Sequence, residues 1–288
     1  MKTTGPHPAW LLLALMVFMG GCIDTRIIRV EDNREIDAAA FAARLRAARI
    51  ILVGEVHNEM RYHELQLSVI RTLRDADATL AIGMEMFNAE DQDNLDRWVA
   101  GTLSEPELES VYSRNWKVPW ENYRDILRYA RANRIPVVGL NVQRPVVHQV
   151  FASGLESLTS EQKERLPGVR CDPSPAYAEF IRKSIGGHEM KGAEFKNFCD
   201  AQMVWDTAMA WAAIQYLKKH AHRAMVIIAG GGHTWKYGIP EQIKRLSNVP
   251  YVVVQPQVYS LFNDDAVSAD EADYVLSDRL KLFGGKGK

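Results

Sequence analysis

Apolar residues in this chain gather in short runs that end abruptly in polar side chains, with helical periodicity in between. Ile50–Val53 has four apolar residues, three of them β-branched, and runs into Gly54, Glu55, Val56, His57, Asn58 and Glu59. That is the pattern of a buried strand followed by a polar turn. Asn58 suits a helix cap, and Tyr62, Leu65, Val69 and Leu73 follow at helical spacing. Thr79–Phe87, Ile135–Asn141 and Ala224–Gly230 are predicted strands that also end in chemistry-bearing residues, and Tyr251–Val254 is a further one.

The intervening segments read as helices. Thr25–Ala48 is expected to be a tether and an amphipathic lead-in helix; Tyr123–Asn133, Phe151–Leu166, Tyr177–Ile185, Phe195–Lys219 and a segment around Ile239–Leu246 follow. Alternating strands and helices predict an α/β fold, a three-layer α/β/α arrangement with a mainly parallel sheet covered on both faces. Residues 144–222 are too many for a simple crossover and predict a helical insertion folded over the sheet edge as a lid. Residues 49–288, this insertion included, read as one domain without internal repeats, and 284–288 as a disordered tail.

In open α/β sheets ligands sit beyond the carboxyl ends of the strands. There the pattern delivers Glu55, His57, Glu85, Asn141 and His233. Glu55 and His57, two apart, share one side of an extended segment. Glu85 lies within an apolar run and needs a partner, because a carboxylate buried alone is costly. Gly230-Gly231-Gly232 lacks the Lys-Ser/Thr of a P-loop, so it reads as close backbone approach to a ligand or simple close packing rather than nucleotide binding. His57 and His63, six apart, lack the spacing of a helical zinc pair. Gln202 and Asp206 share one helix face and read as a polar link between insert and sheet.

The N-terminus changes the setting. Lys2 precedes an apolar run, Ala9–Met19, shorter than the roughly 20 residues that span a bilayer. Met19-Gly20-Gly21-Cys22 resembles a lipobox, which implies a signal peptide over 1–21, lipidation of Cys22 and a membrane anchor, with 22–48 as tether and lead-in. Ile23 favours the outer membrane over the inner. Lys and Arg number 35 against 36 Asp and Glu, with no block of like charge, which gives no sign of nucleic-acid binding. Cys171 and Cys199 could pair in an oxidising envelope or remain two buried thiols.

Several motifs then resemble one family. Leu52-Val53-Gly54-Glu55-Val56-His57 with His63 and Gln66, Gly83–Phe87 with Gln92, and Trp120-x-x-Tyr123 are similar to those of the ChaN-like haem-binding lipoproteins. So are Ala201–Ala210, Ala229–His233 and Tyr237–Pro240. The resemblance implies haem as cofactor, a role in iron acquisition, and a homodimer with a tyrosine iron ligand. Tyr177, Tyr237 and Tyr62 are the candidate tyrosines, and His188 is a further ligand candidate. A remoter similarity to erythromycin esterase-like and Tiki/TraB proteins implies a hydrolase in which His57, Glu85 and His233 work and Glu55 supports. The same groups could instead hold a divalent metal.

Overall fold

Ile50–Glu55 forms the central strand (β3), and all six of its residues are buried. The computed structural model describes residues 25–76, 78–184, 192–257 and 267–278. The other expected strands form at Leu80–Asn88 (β4), Val137–Asn141 (β5), Ala224–Gly230 (β6) and Tyr251–Pro256 (β7). Three strands were not expected: Thr25–Arg29 (β1), Arg34–Ile36 (β2) and Tyr274–Asp278 (β8). The sheet runs β2-β1-β8-β7-β3-β6-β4-β5; the pairings from β8 to β5 are parallel, and β1 and β2 are antiparallel.

The hairpin corrects the expectation of a tether over 22–48. Ile27 pairs with Ile36, Arg26 and Arg29 bracket the Ile27-Ile28 pair, and the turn holds Asn33 at φ 53°. Short, charge-rich edge strands do not advertise themselves by an apolar run. The lead-in helix is present, but only over Ala38–Ala47 (α1), capped by Asp37.

Alternation along the strands divides the core. Ile51, Val53, Ile82 and Met84 face one layer, built from α1, Met60–Asp75 (α2), Gln92–Ala100 (α3), Glu105–Asn115 (α4) and Glu121–Ala132 (α5). Ile50, Leu52, Ala81 and Leu140 face the other layer.

The insertion contributes Arg144–Ser153 (α6), Ser160–Glu164 (α7), Pro175–Ser184 (α8) and the 27-residue Ala193–Lys219 (α9). The helix expected over Phe151–Leu166 is broken, because Gly154 at φ +73° ends α6 and Thr159 caps α7. Helix α9 has two functions. Met209, Ala210, Ala213 and Leu217 cover the sheet, so this half is a layer of the fold rather than a lid. Ala201, Val204 and Ala208 pack instead on α6 and on Leu158 and Leu166, which carries the insertion past the strand ends. Cys171 and Cys199 form a disulfide that ties the chain before α8 to α9. After β6 come Gly231–Thr234 (α10) and Ile239–Leu246 (α11), and Ile239 and Ile243 join the second layer.

Strands β3 and β6 are neighbours, with Glu55 opposite Gly230. The helix after β3 (α2) lies on one face and the helix reached from β6 (α11) on the other. Their connections diverge, which leaves a crevice at the carboxyl edge, the topological switch point of an open sheet.

Candidate functional site

At that crevice the two strands deliver His57 and His233, and β4 brings Glu85 beside them. Close approach depends on glycines. A side chain at Gly54 would strike Gln255 and Thr234, with the nearest atom at 2.0 Å, and one at Gly230 would meet the His57 ring at 2.9 Å. Gly230 therefore serves packing against the His57 imidazole, while a side chain at Gly232 would meet the Phe180 ring at 2.5 Å.

Each histidine is oriented by a carboxylate, and each carboxylate is held by a tyrosine. His57 Nδ1 donates to Glu55 Oε1 at 2.7 Å, and the Tyr123 phenol donates to the same oxygen. His233 Nδ1 donates to Asp206 Oδ1 at 2.7 Å, and the Tyr177 phenol donates to Asp206 Oδ2 at 2.6 Å. An indole stands edge-on to each imidazole: Trp116 to His57 with centroids 5.0 Å apart, and Trp205 to His233 at 6.0 Å. Two Tyr–carboxylate–His relays thus converge on one place. With Nδ1 engaged, the Nε2 atoms are left for chemistry.

Glu85 lies between them. Its Oε2 accepts from the Gly230 N–H at 2.7 Å, and its Oε1 is 3.6 Å from His233 Nε2. Asn141 donates from Nδ2 to the Glu85 carbonyl, which fixes the end of β4 rather than adding a reactive group. His57, Glu85 and His233 all line a cleft of about 870 Å³.

The two relays differ in charge balance. Glu55 also accepts from Gln66 Nε2 at 2.9 Å and pairs with His63 Nδ1 at 3.0 Å. His63 Nε2 faces the His57 carbonyl at 3.0 Å, so an acceptor stands at each ring nitrogen and, against burial, the hydrogen bond and charge of Glu55 raise the His63 pKa above its ordinary value. Burial would raise the Glu55 pKa, but the hydrogen bonds from His57 and His63 overcome it and hold the carboxyl at about 2. Asp206 receives only the two donors already named among the described residues. Burial would lower the pKa of His233, yet the Glu85 and Asp206 carboxylates raise it to about 9. His57 is also raised above its ordinary value against its own burial, by Glu55 and Glu85.

The sequence-derived residues fall in different places. Glu55, His57, Glu85 and His233 come together. The expected link from insert to sheet exists, but Asp206 makes it through His233. Tyr177 is fully buried, and its phenol is committed to Asp206. Tyr62 is buried and accepts from Arg61. Tyr237 lies apart, in a second cleft of about 580 Å³ with Lys236, Lys244 and Arg245, and stacks on Tyr177. Cys22, His188 and residues 284–288 lie outside the described residues. Sequence reasoning gave no role to Tyr123, His63, Tyr177 as a relay member, or Asp206 as the partner of His233. Among the described residues, no group of three or more His, Cys, Asp or Glu is disposed to hold a metal ion.

A family model described as "Haem-binding uptake, Tiki superfamily, ChaN" matches residues 41–243. A structure of cofacial haem binding to ChaN of Campylobacter jejuni has a TM-score of 0.66 at 22% identity, covering 88% of this chain and 96% of that one. A mutant erythromycin esterase, EreC, in its open conformation scores 0.48 at 15% identity, covering 88% and 82%. The chloroplastic Protein RETICULATA-RELATED 5 of Arabidopsis thaliana is 24% identical over 217 residues, 69% of this chain. This chain spans 29% of that protein's length.

Proposed function

We propose, since this chain belongs to the ChaN family of haem-binding uptake proteins in the Tiki superfamily, that it binds haem at the bacterial cell envelope. Its role there is iron or haem acquisition. The family match over residues 41–243 carries the haem reading. The anchor rests on the lipobox-like Met19–Cys22, which would place lipid on Cys22 and the protein at the outer membrane. No helix among the described residues is long and apolar enough to cross a membrane.

The large cleft has the donor set that haem needs. Trp116, Trp205 and Met86 offer apolar walls, while Arg114, Lys117 and Arg144 offer cations for propionates. His148, exposed on the cleft wall, is the side chain best suited to reach the iron. The tyrosines suit it less. Tyr177 is spent on Asp206, and the Tyr237 phenol is pushed up by burial and by Glu271 and Asp270, which works against phenolate ligation.

Haemin titration of the wild type and of His148→Gln and Tyr237→Phe tests this. A saturable Soret band that His148→Gln shifts and Tyr237→Phe leaves alone is expected. The reverse result moves the iron to the second cleft. Sedimentation of the same samples tests whether haem promotes a homodimer.

A second reading is favoured by one observation, the two relays beside Glu85. With Glu85 as general base and His233 as acid, the site suits a water-using hydrolase of esters or peptides. His233→Ala would then abolish turnover on an ester panel without unfolding the protein. Loss of stability with no turnover in the wild type would make the histidine structural.

A further inference from the structure

The strand-end site contains three imidazoles, His57, His63 and His233, and three carboxylates, Glu55, Glu85 and Asp206. The cluster is balanced when all three imidazoles are protonated. Water-driven ester hydrolysis needs one base and one acid. Here two imidazoles, each locked through Nδ1 by its own carboxylate, line the cleft together with a third carboxylate, Glu85, whose Oε1 is 3.6 Å from His233 Nε2. That is an arrangement for delivering two protons to one ligand while a negative group waits beside it.

The cleft offers a flat apolar ligand two indoles, one beside each imidazole. Arg114, Lys117 and Arg144 stand among the cleft-lining residues, where carboxylate side arms would be met. The ligand chemistry that unites these features is a metallated tetrapyrrole, whose four-nitrogen ring gives up its metal when two of those nitrogens are protonated.

We infer that the site removes the metal from a bound metalloporphyrin, His57 and His233 each giving one proton to the ring and Glu85 receiving the departing cation. The inference rests on the haem-binding reading. For a divalent centre, ferrous or zinc, the step balances without oxidation or reduction. Two nitrogen–metal bonds break to protonation, and their electron pairs become N–H bonds. The remaining two dative bonds dissociate as the metal leaves as a dication. The two imidazoles, now neutral, recover their protons from water.

The relays have a definite part in this. Asp206 and Glu55 keep each imidazole turned so that Nε2 is the proton that leaves, and Tyr177 and Tyr123 keep the carboxylates in place. These four are positioning residues, and His57, His233 and Glu85 are the groups that meet the ligand.

Zinc protoporphyrin is the probe, because its zinc does not change oxidation state and its free-base product emits at a different wavelength. Binding is followed by absorbance and product by fluorescence, with the full-length protein in detergent. The wild type is expected to bind the probe and convert it to free base. His57→Gln and His233→Gln are each expected to slow conversion of the bound probe by about 100-fold, the usual contribution of a positioned acid, measured at probe concentrations that saturate each variant. Thermal midpoints confirm that the variants fold, and Glu85→Gln serves as the check if either histidine variant does not. Binding without conversion overturns this inference and leaves haem binding standing. Absence of binding overturns both. Conversion at the wild-type rate in both histidine variants also overturns it.

Discussion

The backbone N–H of Gly230 donates to Glu85 Oε2 at 2.7 Å, and nothing larger than hydrogen fits on the α-carbon beside it. One strand end thereby orients a carboxylate of its neighbour and leaves room for the imidazole of another. A side chain at 230 would meet His57 Cε1 at 2.9 Å and Nε2 at 3.2 Å. Gly230→Ala is therefore expected to displace His57 and to cost about 1–3 kcal/mol as overpacking. Chemical denaturation reads the second effect, and loss of the His57 imidazole signal shift on adding ligand reads the first. A variant with wild-type behaviour in both would show that His57 is not held against β6.

The two relays should respond unequally to loss of their tyrosines. Among the described residues Asp206 has two donors, Tyr177 and His233, whereas Glu55 has Tyr123, His57, Gln66 and His63. Removing the phenol from Asp206 leaves a buried carboxylate oxygen unsatisfied, at about 1–3 kcal/mol, while Glu55 keeps three of its donors. Tyr177→Phe is expected to lower the unfolding free energy more than Tyr123→Phe, although both rings are fully buried. Equal losses would argue that burial of the rings dominates.

Stability should have a plateau in mildly acid conditions. His233 rises from its ordinary 6.5 to about 9 in the fold, so its contribution is complete below pH 6.5 and lost as pH rises through 9. Glu55 falls from its ordinary 4.5 to about 2, so its contribution is complete above pH 4.5 and lost as pH falls through 2. Denaturation midpoints are expected to peak between pH 4.5 and 6.5. The His233→Gln variant should lose the decline on the alkaline side. A wild-type midpoint still rising between pH 7 and 9 would contradict the ion pairing described for His233.

The disulfide closes a 28-residue separation that includes α8. Reduction, or Cys171→Ser with Cys199→Ser, is expected to cost about 3 kcal/mol and to speed hydrogen exchange in α8 ahead of β3. Uniform exchange throughout would show that the bond constrains the whole fold rather than the insertion.

Much of this was legible in the sequence, and the exceptions have physical causes. Strands β3, β4, β5 and β6 announce themselves because strands buried on both faces need unbroken apolar runs, and their last residues mark the pocket. The β1–β2 hairpin does not, since Arg26, Arg29, Arg34 and Glu35 dilute its pattern to that of a tether. Asp206 was visible as a polar residue in an apolar helix, but its partner is 27 residues away and meets it only through the tertiary fold. His63, Gln66 and Tyr123 stand in family-like motifs, yet periodicity alone could not show that all three converge on Glu55. The glycine run packs closely, Gly230 against His57 and Gly232 against Phe180, neighbours that only the tertiary fold names.

The most direct measurement is a haemin titration of the purified protein, followed by its Soret absorbance. Saturation at a fixed stoichiometry, with weaker binding in an Arg114→Ala, Arg144→Ala double variant, is the result expected if haem lies in the large cleft. An unchanged haemin spectrum at stoichiometric protein would contradict the haem-binding account itself.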